Sequence, residues 1–325
     1  MRTTFSDSLV QLACRDHRVV LLTGDHGYAL FDAFRSRCAS QYINAGVAEQ
    51  NMVGMAAGLA RAGFKPFVYG LSAFVPIRVL EQIKLDVAHD NLPVVFLGDG
   101  AGFVYSTLGT SHQATEDIAC TRAIAQLAVF SPADHFELSL CMQHAYDLQR
   151  PVYLRMGKAD RGEVHTAQLK LNVPGQLFRV RPGSEGGLSL IATGSLVKTA
   201  VELAGRAFPD ATVWSAPFLK PICVAQAAQI CAQSCALVTL EEHSIHGGLG
   251  SLMAEISTTS YPRPILRVGV QDRFSELCGS YEYLLVEHGL DIDSIERQVR
   301  GFTARLERDC SRSSSMPGTA VELAS

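Results

Sequence analysis

In the run Asn44-Ala45-Gly46-Val47-Ala48-Glu49-Gln50-Asn51-Met52-Val53-Gly54-Met55-Ala56-Ala57-Gly58 one carboxylate, that of Glu49, opens a segment otherwise small and mostly apolar. The run follows the extended Gln41-Tyr42-Ile43, and its glycines and alanines suit a closely packed helix, so Glu49 falls at a strand-to-helix turn, where α/β proteins build sites. An acid in a first helical turn is also favoured by the helix dipole alone, so position leaves two readings open. Two more residues follow at ordered intervals. Phe74 sits just after a strand-like run, where core packing is the plain alternative to stacking on a flat ring. His112 lies in the long loop Asp99-Gly100-Ala101-Gly102-Phe103-Val104-Tyr105-Ser106-Thr107-Leu108-Gly109-Thr110-Ser111-His112-Gln113, where an imidazole can donate a hydrogen bond or carry a proton. Asp25, in Thr23-Gly24-Asp25-His26-Gly27, reads equally as a polar turn or a site acid.

Positioning these residues takes a sizeable scaffold. The chain has 325 residues, of which 47% are apolar, enough to fill the cores of two domains. Short β-rich runs at 19–22, 42–44, 66–69, 94–97, 128–130 and 152–155 alternate with helical patterns near 47–62, 75–89, 116–125 and 133–147. That is the texture of a parallel sheet built from crossover units. From 161 to 187 the sequence turns charged and Gly/Pro-bearing, which predicts a linker after a first domain at 1–160. Strands at 188–192, 212–215, 236–240 and 265–268 then predict a second α/β domain over 188–300. The Ser-rich, polar tail at 301–325 predicts disorder.

A net charge of −4 without a basic block gives no electrostatic support for a nucleic-acid or anionic-membrane partner. The start, Met1-Arg2-Thr3-Thr4-Phe5-Ser6-Asp7, has no signal-peptide core, and no apolar run approaches the roughly 20 residues of a membrane span, which predicts a cytoplasmic protein. Nine cysteines, none in a Cys-x-x-Cys pair, read as reduced core thiols. Gly98-Asp99-Gly100 spells the start of a magnesium-diphosphate motif, but no Asn lies between Asn91 and Asn172 to complete it, and no metal role is assigned.

Taken together, the ordered motifs resemble the pyrimidine-binding and C-terminal domains of the transketolase family of thiamin diphosphate enzymes. The Glu49 run, Phe74-x-x-x-Arg78-x-x-Glu81-Gln82-Ile83, the loop ending Ser111-His112-Gln113, and later Leu240-Glu241-Glu242-His243-Ser244-Ile245-His246-Gly247-Gly248 carry the likeness over roughly residues 5–300. The resemblance implies two domains, each a mainly parallel sheet flanked by helices. It implies that Glu49 shares a proton with the cofactor's aminopyrimidine and activates it, that Phe74 stacks on that ring, and that His112 handles the donor's hydroxyl and carbonyl oxygens. Asp25 would lie near the thiazolium, and Arg155 matches an arginine that reaches a substrate phosphate or carboxylate. Arg78, Glu81 and Gln82 read as structural or dimer-contact residues.

Departures from the family pattern matter as much. Gly100 stands where sugar-phosphate transketolases carry a phosphate-contacting histidine, and Leu108 where they carry an aspartate that reads a donor hydroxyl. An apolar side chain cannot accept that hydrogen bond, so a non-standard ketose, used with an aldehyde acceptor in specialised metabolism, is expected. The family's preceding diphosphate-and-magnesium domain has no counterpart in this sequence. The resemblance therefore implies the C-terminal subunit of a split transketolase, working as a heterotetramer of two such chains with two N-terminal partner subunits that hold thiamin diphosphate and magnesium. A pyruvate-decarboxylating ligase subunit like deoxyxylulose-phosphate synthase, and a non-catalytic regulatory subunit, stand as alternatives.

Overall fold

The structure, a computed structural model, describes residues 1–27, 29–157 and 161–315. Its strands are β1 (Val19–Thr23), β2 (Tyr42–Asn44), β3 (Lys65–Leu71), β4 (Val95–Asp99), β5 (Ala128–Phe130), β6 (Val152–Met156), β7 (Phe178–Arg181), β8 (Leu188–Ala192), β9 (Thr212–Ser215), β10 (Phe218–Lys220), β11 (Ala236–Ser244) and β12 (Ile265–Val270). They form two sheets, ordered β10-β5-β6-β4-β3-β1-β2 and β12-β11-β8-β9-β7. Pairing is parallel except for β10 on β5 and β7 on β9.

Both faces of the first sheet are covered, which is why most of its strands read as largely apolar runs. Val19, Leu21, Phe67, Val95 and Leu97 meet Phe5 and Leu9 of helix α1 (Arg2–Arg15) on one face. The alternate residues of the same strands, Val20, Leu22, Val68 and Phe96, share a cluster with Met52, Val53, Ala56 and Ala57 on the other. Each such large side chain contributes roughly 1.5–3 kcal/mol on full burial. Helices α2 (Asp32–Arg37), α3 (Glu49–Arg61), α4 (Leu80–Gln82), α5 (Asp117–Ala123) and α6 (His135–Asp147) complete this domain. Helices α7 (Leu196–Ala207), α8 (Val224–Ala232), α9 (Leu249–Thr259), α10 (Tyr281–Glu287) and α11 (Ile292–Ser315) flank the second sheet.

Several expectations need correction. The segment at 161–187 is not all linker, because β7 lies within it and pairs with β9 in the register Phe178↔Ser215. It is a partly exposed edge strand, so it lacks the apolar run that marks the buried ones. Disorder from 301 is wrong as far as Ser315: α11 continues, anchored by buried Ile295, Val299 and Phe302 at spacings of four and three. Residues 316–325 lie outside the described residues. The helical stretch at 75–89 is a composite of a 3-10 turn, α4 and the π-helical Ile83–Ala88. Val79, Ile83 and Val87 are buried four apart, and a turn wider than 3.6 residues keeps that spacing on one face. Gly54 and Gly58 do not mediate close packing within the chain, since a Cβ at either would meet nothing within 4 Å. The cysteines are not uniformly core: Cys231 is buried while Cys14, Cys235 and Cys278 are exposed.

Candidate active site

Parallel pairing of β2, β1, β3, β4 and β6 brings the segments that follow these strands to one edge of the first sheet. Glu49, the first residue of α3, is 4% exposed, yet no side chain caps that helix. Its carboxylate turns sideways instead: Oε2 accepts from Arg78 Nη1 at 3.1 Å, and Oε1 lies 4.0 Å from His26 Nε2. The Arg78 guanidinium sits 4.3 Å from the centre of the Phe74 ring. Phe74 in turn meets the His112 ring edge-on, with centroids 5.2 Å apart and planes at 66°. Carboxylate, guanidinium, aromatic ring and imidazole thus form one contiguous line. His112 is further set by Ser111 Oγ, 2.9 Å from its Nδ1.

Two residues that touch Glu49, Arg78 and His26, carry less weight in the sequence than in the fold. The signal for Arg78 is its place four residues after Phe74, the interval at which helical side chains meet. His26 reaches inward because the turn after β1 is left-handed at Asp25 (φ 64) and Gly27 (φ 80), and its Nδ1 is buried without a hydrogen-bond partner among the described residues. Asp25 itself is exposed and accepts from Asn44 Nδ2 at 3.2 Å, so the turn presents His26 rather than Asp25 to Glu49.

The loop that carries His112 is closed by a bridge: Gly102 N donates to Ala114 O at 2.9 Å and Ala114 N to Gly102 O at 3.0 Å. Gly100 does not face open space. At φ 82 it lies under Tyr105, whose ring a Cβ at Gly100 would approach to 2.0 Å. The Tyr105 hydroxyl bonds to Asp99 Oδ2 at 3.2 Å, an oxygen that also accepts from Arg2 at 2.7 Å and Tyr69 at 2.7 Å. Burial, then the Asp99 charge, pushes the Tyr105 hydroxyl up to about 12, so it remains a donor. Asp99, the acid of the Gly98-Asp99-Gly100 triplet, is therefore committed to three side chains. Leu108, by contrast, is 53% exposed.

Arg155 is engaged within the protein. It is 2% exposed at the end of β6, with Nε on Asp117 Oδ2 at 2.7 Å and Nη2 on the carbonyls of Ala114 (3.1 Å) and Glu242 (2.8 Å). Asp117 is fully buried and also accepts from Tyr153 at 2.6 Å. The buried Asp117 carboxylate, 38 residues away, and the Glu242 carbonyl hold this guanidinium as a tie between the domains. Among the described residues no helix is long and apolar enough to cross a membrane.

Residues 1–162 match the transketolase pyrimidine-binding domain and residues 177–295 the transketolase C-terminal domain. The chain is 32% identical to the 6-deoxy-6-sulfo-D-fructose transketolase subunit SqwH of a Clostridium species, over 94% of this chain and 95% of that one. It is 31% identical to an apulose-4-phosphate transketolase subunit of Phocaeicola vulgatus, over 94% and 97%. A 1-deoxy-D-xylulose-5-phosphate synthase of Methylibium petroleiphilum is 34% identical over 93% of this chain, which spans only 48% of that protein. Among solved structures, a split gene transketolase described as an inactive beta4 tetramer superposes with a TM-score of 0.82 at 30% identity, covering 92% of this chain and 96% of that one.

Proposed function

The chain belongs to the transketolase family, and on that footing we propose that it is one subunit of a split, thiamin diphosphate-dependent enzyme that moves a two-carbon ketol unit from a ketose donor to an aldehyde acceptor. The observation that carries the reading is the line Glu49, Arg78, Phe74, His112 at one sheet edge. Arg78 supplies a test of fit. A flat, delocalised N–H donor already lies over the Phe74 ring and bonds to Glu49, the pair of contacts an aminopyrimidine would make.

In this reading Glu49 shares a proton with the ring nitrogen of the aminopyrimidine, and its burial keeps water from competing for that bond. Phe74 holds the ring by its face, contributing about 0.5–1.5 kcal/mol beyond burial. When bound, thiamin diphosphate supplies the nucleophilic carbon and the electron sink. His112 donates to, or takes a proton from, the donor's hydroxyl and carbonyl oxygens.

We assign the diphosphate and magnesium to a partner subunit, in a heterotetramer of two plus two working in the cytoplasm. Support comes from the split relatives and from apolar surface beside the site: Val47 is 77% exposed two residues before Glu49, and the outward Gly54 and Gly58 of α3 leave room for another chain. The donor is a ketose other than the common pentose and hexose phosphates. Leu108 offers no acceptor for a donor hydroxyl, Tyr105 fills the space over Gly100, and the relatives' names point to unusual sugars. Co-purification with the partner, followed by a ketose-donor screen read by mass spectrometry, tests this. Ordinary efficiency with xylulose 5-phosphate and ribose 5-phosphate would refute the substrate assignment.

A second reading, pyruvate-decarboxylating ligation, is favoured by the synthase relatives and by the absence of an acid at Leu108. Release of labelled carbon dioxide from pyruvate by the complex would select it.

A further inference from the structure

The loop between Gly102 and Ala114 carries Tyr105, Leu108 and His112, and Glu242 of the other domain holds its first end directly, while Arg155 links its second end to the Glu242 backbone. Glu242, on β11, is 2% exposed. Its Oε1 accepts from Phe103 N at 2.7 Å, gripping the loop where it leaves the bridge. Its backbone oxygen accepts from Arg155 Nη2 at 2.8 Å, and the same Nη2 holds Ala114 O at 3.1 Å, where the loop returns. The other carboxylate oxygen, Oε2, accepts from the Tyr281 hydroxyl at 2.5 Å and from Ser195 Oγ. Both oxygens of a buried charge are therefore satisfied by the loop and by its own domain.

The fit leaves no slack. Gly102 is left-handed (φ 63), and a Cβ there would come within 2.2 Å of Glu242 Oε1, so the carboxylate lies directly against the loop backbone. The second domain grips the same loop elsewhere: Ser244 N donates to Thr115 O, and Ser275 Oγ donates to Gln113 Oε1 at 2.8 Å, one residue from His112. Burial pushes the Tyr281 hydroxyl up, which keeps it a donor to the carboxylate.

From this geometry we infer that Glu242 is a positioning residue for donor recognition: its side chain acts through the Phe103 backbone to fix the loop that presents His112 and Leu108. The C-terminal domain thereby sets the donor end of the site, while the cofactor end, Glu49 and Phe74, is built by the first domain alone. The consequence for turnover rests on the ketol-transfer reading above; the consequence for the loop does not.

The test is amide hydrogen exchange across 102–115 in the full chain, for the natural sequence and for Glu242→Ala, Glu242→Asp and Glu242→Gln, alongside kinetics of the complex with its partner subunit. Removal or shortening of the side chain is expected to speed exchange at Phe103 and the residues after it about tenfold or more, as expected for loss of a charge-assisted hydrogen bond. Glu242→Gln, which keeps an acceptor at Oε1, restores part of the protection and serves where the Ala variant does not fold. In the complex, donor KM rises about tenfold in Glu242→Asp, while kcat and thiamin diphosphate affinity stay within about twofold to threefold. Natural protection at 102–115 in a folded Asp or Ala variant would overturn the latch, and faster exchange with an unchanged donor KM would overturn the role in donor recognition. If the unaltered complex transfers no ketol unit, the functional reading fails while the exchange result still decides the latch.

Discussion

Two glutamates lie beside helix N-termini in the two domains, Glu49 as the first residue of α3 and Glu241 within β11, and their surroundings could hardly differ more. Glu241, at the end of the second sheet, gives both oxygens to the start of α9: Oε2 accepts from Leu249 N at 2.7 Å and Oε1 from Gly250 N at 2.8 Å. It is a helix cap, enclosed and satisfied. Glu49 opens α3 and caps nothing, turning to Arg78 and His26 at an edge bordered by exposed Val47. An acid beside a helix N-terminus is therefore not one thing. Where backbone N–H groups take its oxygens it stabilises a fold, and where they do not it is available for chemistry.

The sharpest way to break that contrast is to make the same substitution at both sites. Glu49→Gln should lower turnover of the partner complex by about 10³-fold, within the range of lost proton-transfer catalysis, with little change in thermal midpoint. Glu241→Gln should lower the midpoint by several degrees and leave turnover within a few-fold. Equal behaviour of the two variants in parallel melting and rate assays would erase the distinction. The tie between the regions comes next. Arg155→Ala strands the buried Asp117 carboxylate and should cost about 3 kcal/mol in urea unfolding, the usual penalty for an orphaned buried charge. If Arg155 were a substrate contact instead, donor KM would move and stability would not.

Phe74→Ala should weaken thiamin diphosphate binding about tenfold, in calorimetric titration of the complex, while shifting the midpoint by only a degree or two, because the ring is half-exposed. The smallest effect concerns pH. Burial raises Glu241 from 4.5 to about 7 and lowers His243 from 6.5 to about 4. Glu241 therefore contributes stability that is full below 4.5 and lost as pH rises through 7. His243 contributes stability present above 6.5 and lost as pH falls toward 4. Across pH 5–6.5 the two slopes oppose. His243→Asn should expose the Glu241 slope, so that the variant gains stability between pH 7 and 5 relative to the natural chain, measured by chemical unfolding at both pH values. A parallel pH profile in the two proteins would contradict the assignment.

How much of the molecule is legible in the sequence follows from burial. Strands β1, β4, β5 and β6 announce themselves because they are buried throughout and mostly apolar, whereas β2 is a partly exposed edge strand. The short β10, which pairs with β5 through Phe218↔Phe130, has too few residues to show a period, and the sequence reading misses it. Helix α1 is legible in principle, since buried Phe5, Leu9, Leu12 and Ala13 fall at helical spacing, but its polar residues mask the stripe. Within the site, Glu49, Phe74 and His112 are readable from ordered motifs, and the structure brings them into one line. The ties of Arg155 to Asp117 and Glu242 are not legible in the sequence, because only the fold brings these residues together. Glu242 is invisible for the same reason: its partner, the Phe103 amide, lies 139 positions away.

The central claim is that Glu49 is the reagent that activates the cofactor. It is tested most directly by the rate at which the thiazolium carbon of bound thiamin diphosphate exchanges its proton for deuterium, followed by NMR in the complex with its partner subunit. Glu49→Gln should slow that exchange by about 10³-fold with the cofactor still bound, and Glu241→Gln should leave it unchanged. Exchange in Glu49→Gln as fast as in the natural complex would contradict the account.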